Sequence, residues 1–503
     1  MPAIDFGTTR MKAAYADGSG KPVAVPNSRG DLATPTVVNY PEAGPPLVGQ
    51  DAYEQGFVDP TNTARNFKLL LGSTANILGN GRNITPTDAA GVAIAAVTQD
   101  LERATNMKLK QVVATCPANF QDHQKQALIE AFGRAGLEIL LLIPEPTAAG
   151  FAYSTGVLGR DALIAVYDFG GGTFDVSILK VEGHQITVLA TEGVAKLGGN
   201  DINEKLRGMV LDRVQNELGA TPDPVRDALF FMELDQKAEQ AKISLGTRQE
   251  VPIVISYGGK QVIVKVNRSE FQRSIDPLIE QSLGAFDRAV AAASIKVSDV
   301  DRLLMVGGTS HQLYIQERVA NHTGLVPRVD VDPDKAVVYG AALAYVTERA
   351  RRGQQSFADG KVIPTPELTL RDVTAHDVGC CALYDVGPNQ KLRNAVIIRK
   401  NTQIPCQRVE HFCLVHEDQT DVLIEVLQGP PDAERDECLL IGEFTMTGLP
   451  KEKIRTPRLQ IEYVIDINGM VTATATDKVS GRTQTVTVDY KKGIKPKAKP
   501  SSV

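Results

Sequence analysis

The sequence has 503 residues, a formal net charge of -6 and 43% hydrophobic residues. This is enough chain for more than one core, and too balanced a composition for a disordered protein. The mild acidity removes the electrostatic basis for binding nucleic acid or an anionic membrane, so neither partner is expected.

No basic segment followed by an apolar one opens the chain, and no run is long and apolar enough to span a bilayer. Cys116, Cys380, Cys381, Cys406, Cys413 and Cys438 show neither zinc-ligand spacing nor the density of a secreted disulfide scaffold. The expectation is a cytoplasmic protein with reduced thiols.

From the start to about residue 348, β-rich apolar runs alternate with helical ones. Ile4-Asp-Phe-Gly-Thr-Thr9 is echoed by Tyr167-Asp-Phe-Gly-Gly-Gly-Thr-Phe-Asp175, which points to a duplicated half. After each echo comes an apolar strand ending in a special loop, Gln111-Val-Val-Ala-Thr-Cys-Pro117 and then Arg302-Leu-Leu-Met-Val-Gly-Gly308. Two α/β lobes facing each other would result. Ala127, Leu128, Ala131, Phe132 and Ala135 share a helical face ahead of Gly136. Asp332-Pro333 reads as a cap and first position of a second helix, whose Gly340 and Ala341 predict close packing.

Residues 349–374, polar and rich in Gly and Pro, read as a linker. Beyond it the helical period disappears, and 421–427, 459–465, 471–476 and 483–490 read as strands, with Asn468-Gly469 as a tight hairpin. An antiparallel β-sandwich over 375–490 is expected, followed by a basic, solvated tail over 491–503.

The paired glycine loops suit a nucleotide's phosphates. Glycine lets backbone N–H groups close on anionic oxygens, the Thr hydroxyls add donors, and an Asp ending each strand can hold hydrated Mg²⁺. Gly307-Gly308 offers a third approach, suited to adenine and ribose, and Gly198-Gly199 fits the same role. Hydrolysis needs charge at the γ-phosphate and a positioned water, for which Lys68, Glu145, Asp175 and Thr173 are the right types, though composition does not single them out.

These motifs resemble the heat-shock 70 kDa (DnaK-type) chaperone family along nearly the whole chain. The landmarks fall in that family's order: Ile4 to Thr9, Asn62-Thr63 before Lys68, Pro117-Ala-Asn-Phe120, Glu145-Pro-Thr-Ala-Ala149, Asp168 to Asp175, Leu197-Gly-Gly199, Glu239 and Lys242, Val306-Gly-Gly308, and Asp332-Pro-Asp334. The resemblance implies a two-lobed, actin-like ATPase domain of duplicated ribonuclease-H-like halves (1–348), joined to an all-β antiparallel sandwich. It implies an ATP-hydrolysing chaperone using ATP/ADP and Mg²⁺, with K⁺ as an accessory ion. Its partners would be extended or unfolded peptide clients, and J-domain and nucleotide-exchange co-chaperones.

By resemblance, Asp5 and Asp168 organise the Mg²⁺ waters. Thr8, Thr9, Arg10, Gly170, Gly171, Gly172 and Thr173 hold phosphates, and Lys68 steadies the γ-phosphate. Glu145, Asp175 and Thr173 order the attacking water. Gly198, Gly199, Glu239, Lys242, Gly246, Gly307, Gly308, Thr309, His311 and Asp334 surround the adenosine. In the sandwich, Cys380, Ala382, Leu383, Phe412, Leu414, Val415, Val422 and Ile424 line a peptide cleft; without the resemblance these read as plain core.

Several positions depart from the family pattern. His311 stands where an adenine-stacking Arg is usual, Arg10 where a small polar residue follows the Thr pair, and Lys125 where an Arg belongs on the relay from Pro117. Thr369 and Arg371 interrupt the linker's apolar run, the segment 72–83 is short, and the family's helical lid is not expected after the sandwich. These departures motivate an alternative, a nucleotide-responsive regulatory or co-chaperone protein with weak or no ATPase coupling.

Overall fold

The computed structural model describes residues 2–78, 82–154, 161–328, 332–358, 361–365, 368–384, 391–453 and 456–487, so the tail expected over 491–503 lies outside the described residues. The chain divides into two compact units, Met1–Phe120 with Ala127–Leu370, and Gln121–Gln126 with Arg371–Val503.

In the first unit two mixed sheets share one topology. One runs Pro22–Ala24, Arg10–Ala16, Pro2–Phe6, Gln111–Cys116, Glu138–Pro144. The other repeats that order with Gln185–Val194, Phe174–Glu182, Ala162–Phe169, Arg302–Val306 and Pro327–Arg328. In each, the first strand turns back antiparallel on the second and pairs in parallel with a later strand. The echoed motifs occupy equivalent hairpin turns, which places Asp5 opposite Lys12 and Asp168 opposite Asp175.

The strand Ala162–Phe169 is apolar almost throughout because both faces are covered. Tyr167, Phe169, Phe174, Leu206 and Phe286 form one core, while Ile4, Phe6, Val112, Leu128 and Phe132 form the other. The helices Glu145–Ser154 and Ala336–Arg351 cross where a Cβ on Gly340 would lie 1.7 Å from the Ala148 carbonyl oxygen, so only glycine fits. That helix starts at Ala336, later than the Asp332-Pro333 expectation. Asp332 instead accepts from the Asp334 N–H at 3.0 Å, closing a turn ahead of the helix.

The helix Ala336–Arg351 runs past residue 348, and Phe357–Ala358 pairs with Lys361–Val362 within the segment read as linker.

The second unit holds two four-stranded antiparallel sheets. One is ordered Leu392–Ile398, Val378–Leu383, Val422–Gln428, Leu439–Met446; the other Cys406–Phe412, Leu459–Ile465, Val471–Asp477, Thr483–Thr487. Leu459–Ile465 and Val471–Asp477 bury alternate residues, as a period of two requires, and Gly469 turns between them with φ 73°. Val378, Ile424, Val426, Phe444, Ile461, Tyr463 and Ala473 share one core. Tyr463 Oη crosses it to donate to the Gly379 carbonyl at 2.9 Å, and within the second sheet the buried Arg458 holds Asp477 through bonds of 2.7 and 2.9 Å.

Candidate nucleotide site

A cavity of about 900 Å³ opens between the two hairpin turns of the first unit. The turns interleave closely. A Cβ on Gly171 would lie 2.6 Å from the Thr9 methyl, and one on Gly172 would lie 2.7 Å from the Thr8 methyl. Gly170 N–H donates to the Thr173 carbonyl at 3.0 Å, which fixes the second turn.

The loop Leu197-Gly-Gly199 closes on the same turn from behind. Gly199 N–H donates to Gly170 O at 3.0 Å and Asn200 N–H to Gly171 O at 2.8 Å, while a Cβ on Gly198 would meet Gly171 at 2.4 Å. Thr309 Oγ1 donates to Gly170 O at 2.7 Å, and Gly307, at φ 84°, passes so near Phe169 that a Cβ would be 2.5 Å from its carbonyl oxygen.

Beneath the turns lie charged groups brought in from distant positions. Lys68 is only 1% exposed and donates to Glu145 Oε1 at 2.7 Å, with its ammonium 5.6 Å from the Phe120 ring centre. Thr115 Oγ1 donates to Asp5 Oδ1 at 2.8 Å, and the Asn119 N–H donates to Asp175 Oδ1 at 3.1 Å.

Burial pushes the Asp168 carboxyl well above its usual range, and the neighbouring Glu145, Asp175 and Asp5 carboxylates add to the rise. Asp175 is pushed up to about 8, by burial first and then by Glu145, against the opposing Asn119 N–H. Glu145 is also raised by burial, with Lys68 opposing. Burial works against the Lys68 charge, but the adjoining Glu145 outweighs it and the net direction is upward.

Four buried carboxyls therefore face one buried ammonium. Among the described residues no three His, Cys, Asp or Glu side chains are grouped closely enough to hold a metal ion directly. The surplus of carboxylates would suit a divalent cation that keeps part of its water shell, as Mg²⁺ does, and Asp5 and Asp168 would be the residues to hold it.

The cavity extends past Gly307 and Gly308 to Glu239, Lys242, His311 and Asp334. Lys242 Nζ donates to Gly199 O at 3.2 Å, and burial lowers its pKa despite the nearby Glu239. His311 Nε2 lies 3.1 Å from Asp334 Oδ2, and Lys12 approaches the other oxygen, Oδ1, at 3.7 Å.

Asp5, Thr8, Thr9, Arg10, Lys68, Glu145, Asp168, Gly170, Gly171, Thr173, Gly199, Gly307, Gly308 and Thr309 all line this cavity. Gly172, Gly198 and Asp175 support the wall from behind. Gly246, at the C-terminus of the helix Ala228–Leu245, points toward Gln312 rather than onto the wall. Sequence reasoning missed Lys12, Thr115, Asn119, Asn203 and Ile243. Lys12 carried a signal, since strand pairing sets it opposite Asp5. Ile243, 64% exposed on the cavity wall, and Asn203, whose Oδ1 has no partner among the described residues, gave none.

In the second unit, Cys380, Leu414 and Ile424 are buried within the core, whereas Val415 is exposed. Phe412, Val422, Ala382 and Leu383 are half-buried. Burial pushes the Cys380 thiol far up, away from reactivity.

Two like-folded sheets thus bring glycine turns over a cavity lined by carboxylates and the buried Lys68. Residues 2–78 and 73–501 match the family described as Hsp70 protein, and the chain belongs to that family. Its members are ATP-dependent chaperones that use ATP/ADP with Mg²⁺ and bind unfolded clients and co-chaperones. No helix among the described residues is long and apolar enough to cross a membrane.

Proposed function

We propose that this chain is an ATP-dependent molecular chaperone that hydrolyses ATP to ADP and phosphate and binds extended apolar segments of unfolded proteins. A two-lobed actin-like ATPase domain over 1–348, a linker over 349–374 and a peptide-binding sandwich over 375–490 would divide the work. The observation carrying this reading is the convergence of Asp5, Asp168, Lys68 and Glu145 beneath the interleaved Thr8-Thr9 and Gly171-Gly172 turns.

In this reading the turns hold the phosphates through backbone N–H groups and the Thr hydroxyls. Lys68 places positive charge at the terminal phosphate, and Glu145 keeps its ammonium aimed and protonated. Asp175, held by the Asn119 N–H, accepts a hydrogen bond from the attacking water together with Thr173. Mg²⁺, when bound, neutralises phosphate charge. The test is ATP turnover by the purified chain, together with the affinity of an extended apolar peptide in the ATP and ADP states. Equal affinities in both states defeat the coupled-chaperone reading.

A second reading, a nucleotide-responsive regulatory or co-chaperone protein, is favoured by the burial of Cys380, Leu414 and Ile424, which leaves three of the eight proposed cleft residues with little accessible surface. It predicts faster nucleotide exchange on a full-length chaperone partner without peptide capture.

A further inference from the structure

Four lysines line the cavity, Lys12, Lys68, Lys242 and Lys335, and three of them are held at short range. Lys68 holds the buried Glu145 at 2.7 Å, Lys335 holds Asp332 at 2.6 Å, and Lys242 donates to Gly199 O at 3.2 Å. Lys12 differs. Among the described residues its one ion pair is with Asp334 Oδ1, at a loose 3.7 Å.

The strand Arg10–Ala16 sets where this side chain starts. Antiparallel pairing puts Lys12 directly opposite Asp5, and facing residues in such a pair share one side of the sheet, with Cβ atoms about 5 Å apart. Asp5 Oδ1 is taken by the Thr115 hydroxyl, and Lys12 extends instead along the wall, from beside the carboxyl floor to Asp334. The side chain is 16% exposed, and its charge is felt below: it opposes the burial-driven rise of Asp168 and, after Lys68, that of Glu145. Lys12 lines this cavity together with Asp5, Lys68, Glu145 and Asp168, and it does not border the adjoining recess of about 390 Å³.

Phosphates entering over the floor are repelled by every carboxyl there that is ionised. Recruiting Lys68 to meet them would strand the buried Glu145, which is costly. The 3.7 Å pair with the half-exposed Asp334 contributes little and is readily left. A long, flexible stem lets the Lys12 ammonium swing back over Asp5 without moving the strand.

We propose that Lys12 is the cavity's mobile counter-charge: on nucleotide binding its ammonium leaves Asp334 for the phosphates, so that nucleotide is held even where no divalent cation accompanies it. This rests on the nucleotide-binding reading above. A divalent cation and Lys12 offset the same repulsion between phosphates and floor, so the loss of either makes the other matter more.

The test is calorimetric titration of the full chain with ADP, once in excess Mg²⁺ and once in EDTA. Wild type is expected to bind in both. Lys12→Met should weaken ADP at least about tenfold in EDTA and less than about threefold in Mg²⁺, the larger loss being that of one charge-assisted contact, while Lys12→Arg should keep most of the EDTA affinity. Unchanged affinities, an equal loss in both conditions, or a wild-type chain that binds ADP in Mg²⁺ but not in EDTA overturns the assignment and leaves nucleotide binding standing. If wild type binds ADP in neither condition, the functional reading fails and this inference with it. Thermal melts check folding, and Lys12→Gln carries the comparison if Lys12→Met does not fold.

Discussion

Lys68 and Glu145, 77 residues apart in the chain, meet at 2.7 Å with both side chains largely shielded from water. The pair sets a buried positive charge against a floor of carboxyls. Lys68→Ala is expected to lower ATP turnover at least about a hundredfold while nucleotide binding persists. It also leaves Glu145 buried without its partner, a change that typically costs about 3–5 kcal/mol of stability. Turnover assays and chemical denaturation read the two effects separately, and unchanged turnover removes Lys68 from the mechanism.

The raised carboxyls give a pH dependence of definite sign. Asp175 binds its proton up to about pH 8 in the folded protein, against about pH 4 for an unfolded Asp. Between those values the folded state holds the extra proton, so stability falls as pH rises, by about 1.4 kcal/mol per pH unit for one full proton. Urea unfolding of the nucleotide-free chain at pH 5, 6, 7 and 8 should show this decline, and Asp175→Asn should make it shallower, Asp168 and Glu145 retaining their share. Parallel slopes for wild type and variant would refute the assignment.

Two glycine substitutions should act in opposite directions. Gly340→Ala drives a methyl into the Ala148 carbonyl and is expected to cost at least about 2 kcal/mol, because neither helix backbone can yield locally. Gly208, inside the helix Gly199–Leu218, has open space where a Cβ would stand. Gly208→Ala should therefore stabilise by about 0.5–1 kcal/mol through helix propensity and lost unfolded-state entropy. Thermal melts of the two variants decide the matter.

In the second unit the hydrogen bonds from Arg458 hold the Asp477 carboxyl well below the usual range, outweighing its burial. A depressed carboxyl contributes stability above about pH 4 that is lost as pH falls through its folded value. Asp477→Ala strands a buried guanidinium, and a loss of about 3–5 kcal/mol is expected. Hydrogen exchange in the strands Leu459–Ile465 and Val471–Asp477 should accelerate in the variant. Unaltered exchange there would show that the pair carries no stability.

What could be read from the chain alone was whatever neighbouring residues specify. The glycine turns after Asp5 and Asp168 declared themselves because close backbone approach demands glycine at fixed spacing. The strand pair around Asn468-Gly469 did so because alternation has a period of two. Even the duplication was legible, since each half repeats a strand, turn and strand in a row. Tertiary structure decided the rest. Lys68, Thr115 and Asn119 reach their carboxylate partners across 77, 110 and 56 residues, and no local pattern encodes such a meeting. Burial likewise set which carboxyls keep a proton, and it placed Cys380, Leu414 and Ile424 among the buried residues of the second unit, because water exclusion belongs to the packed assembly of strands rather than to any one of them.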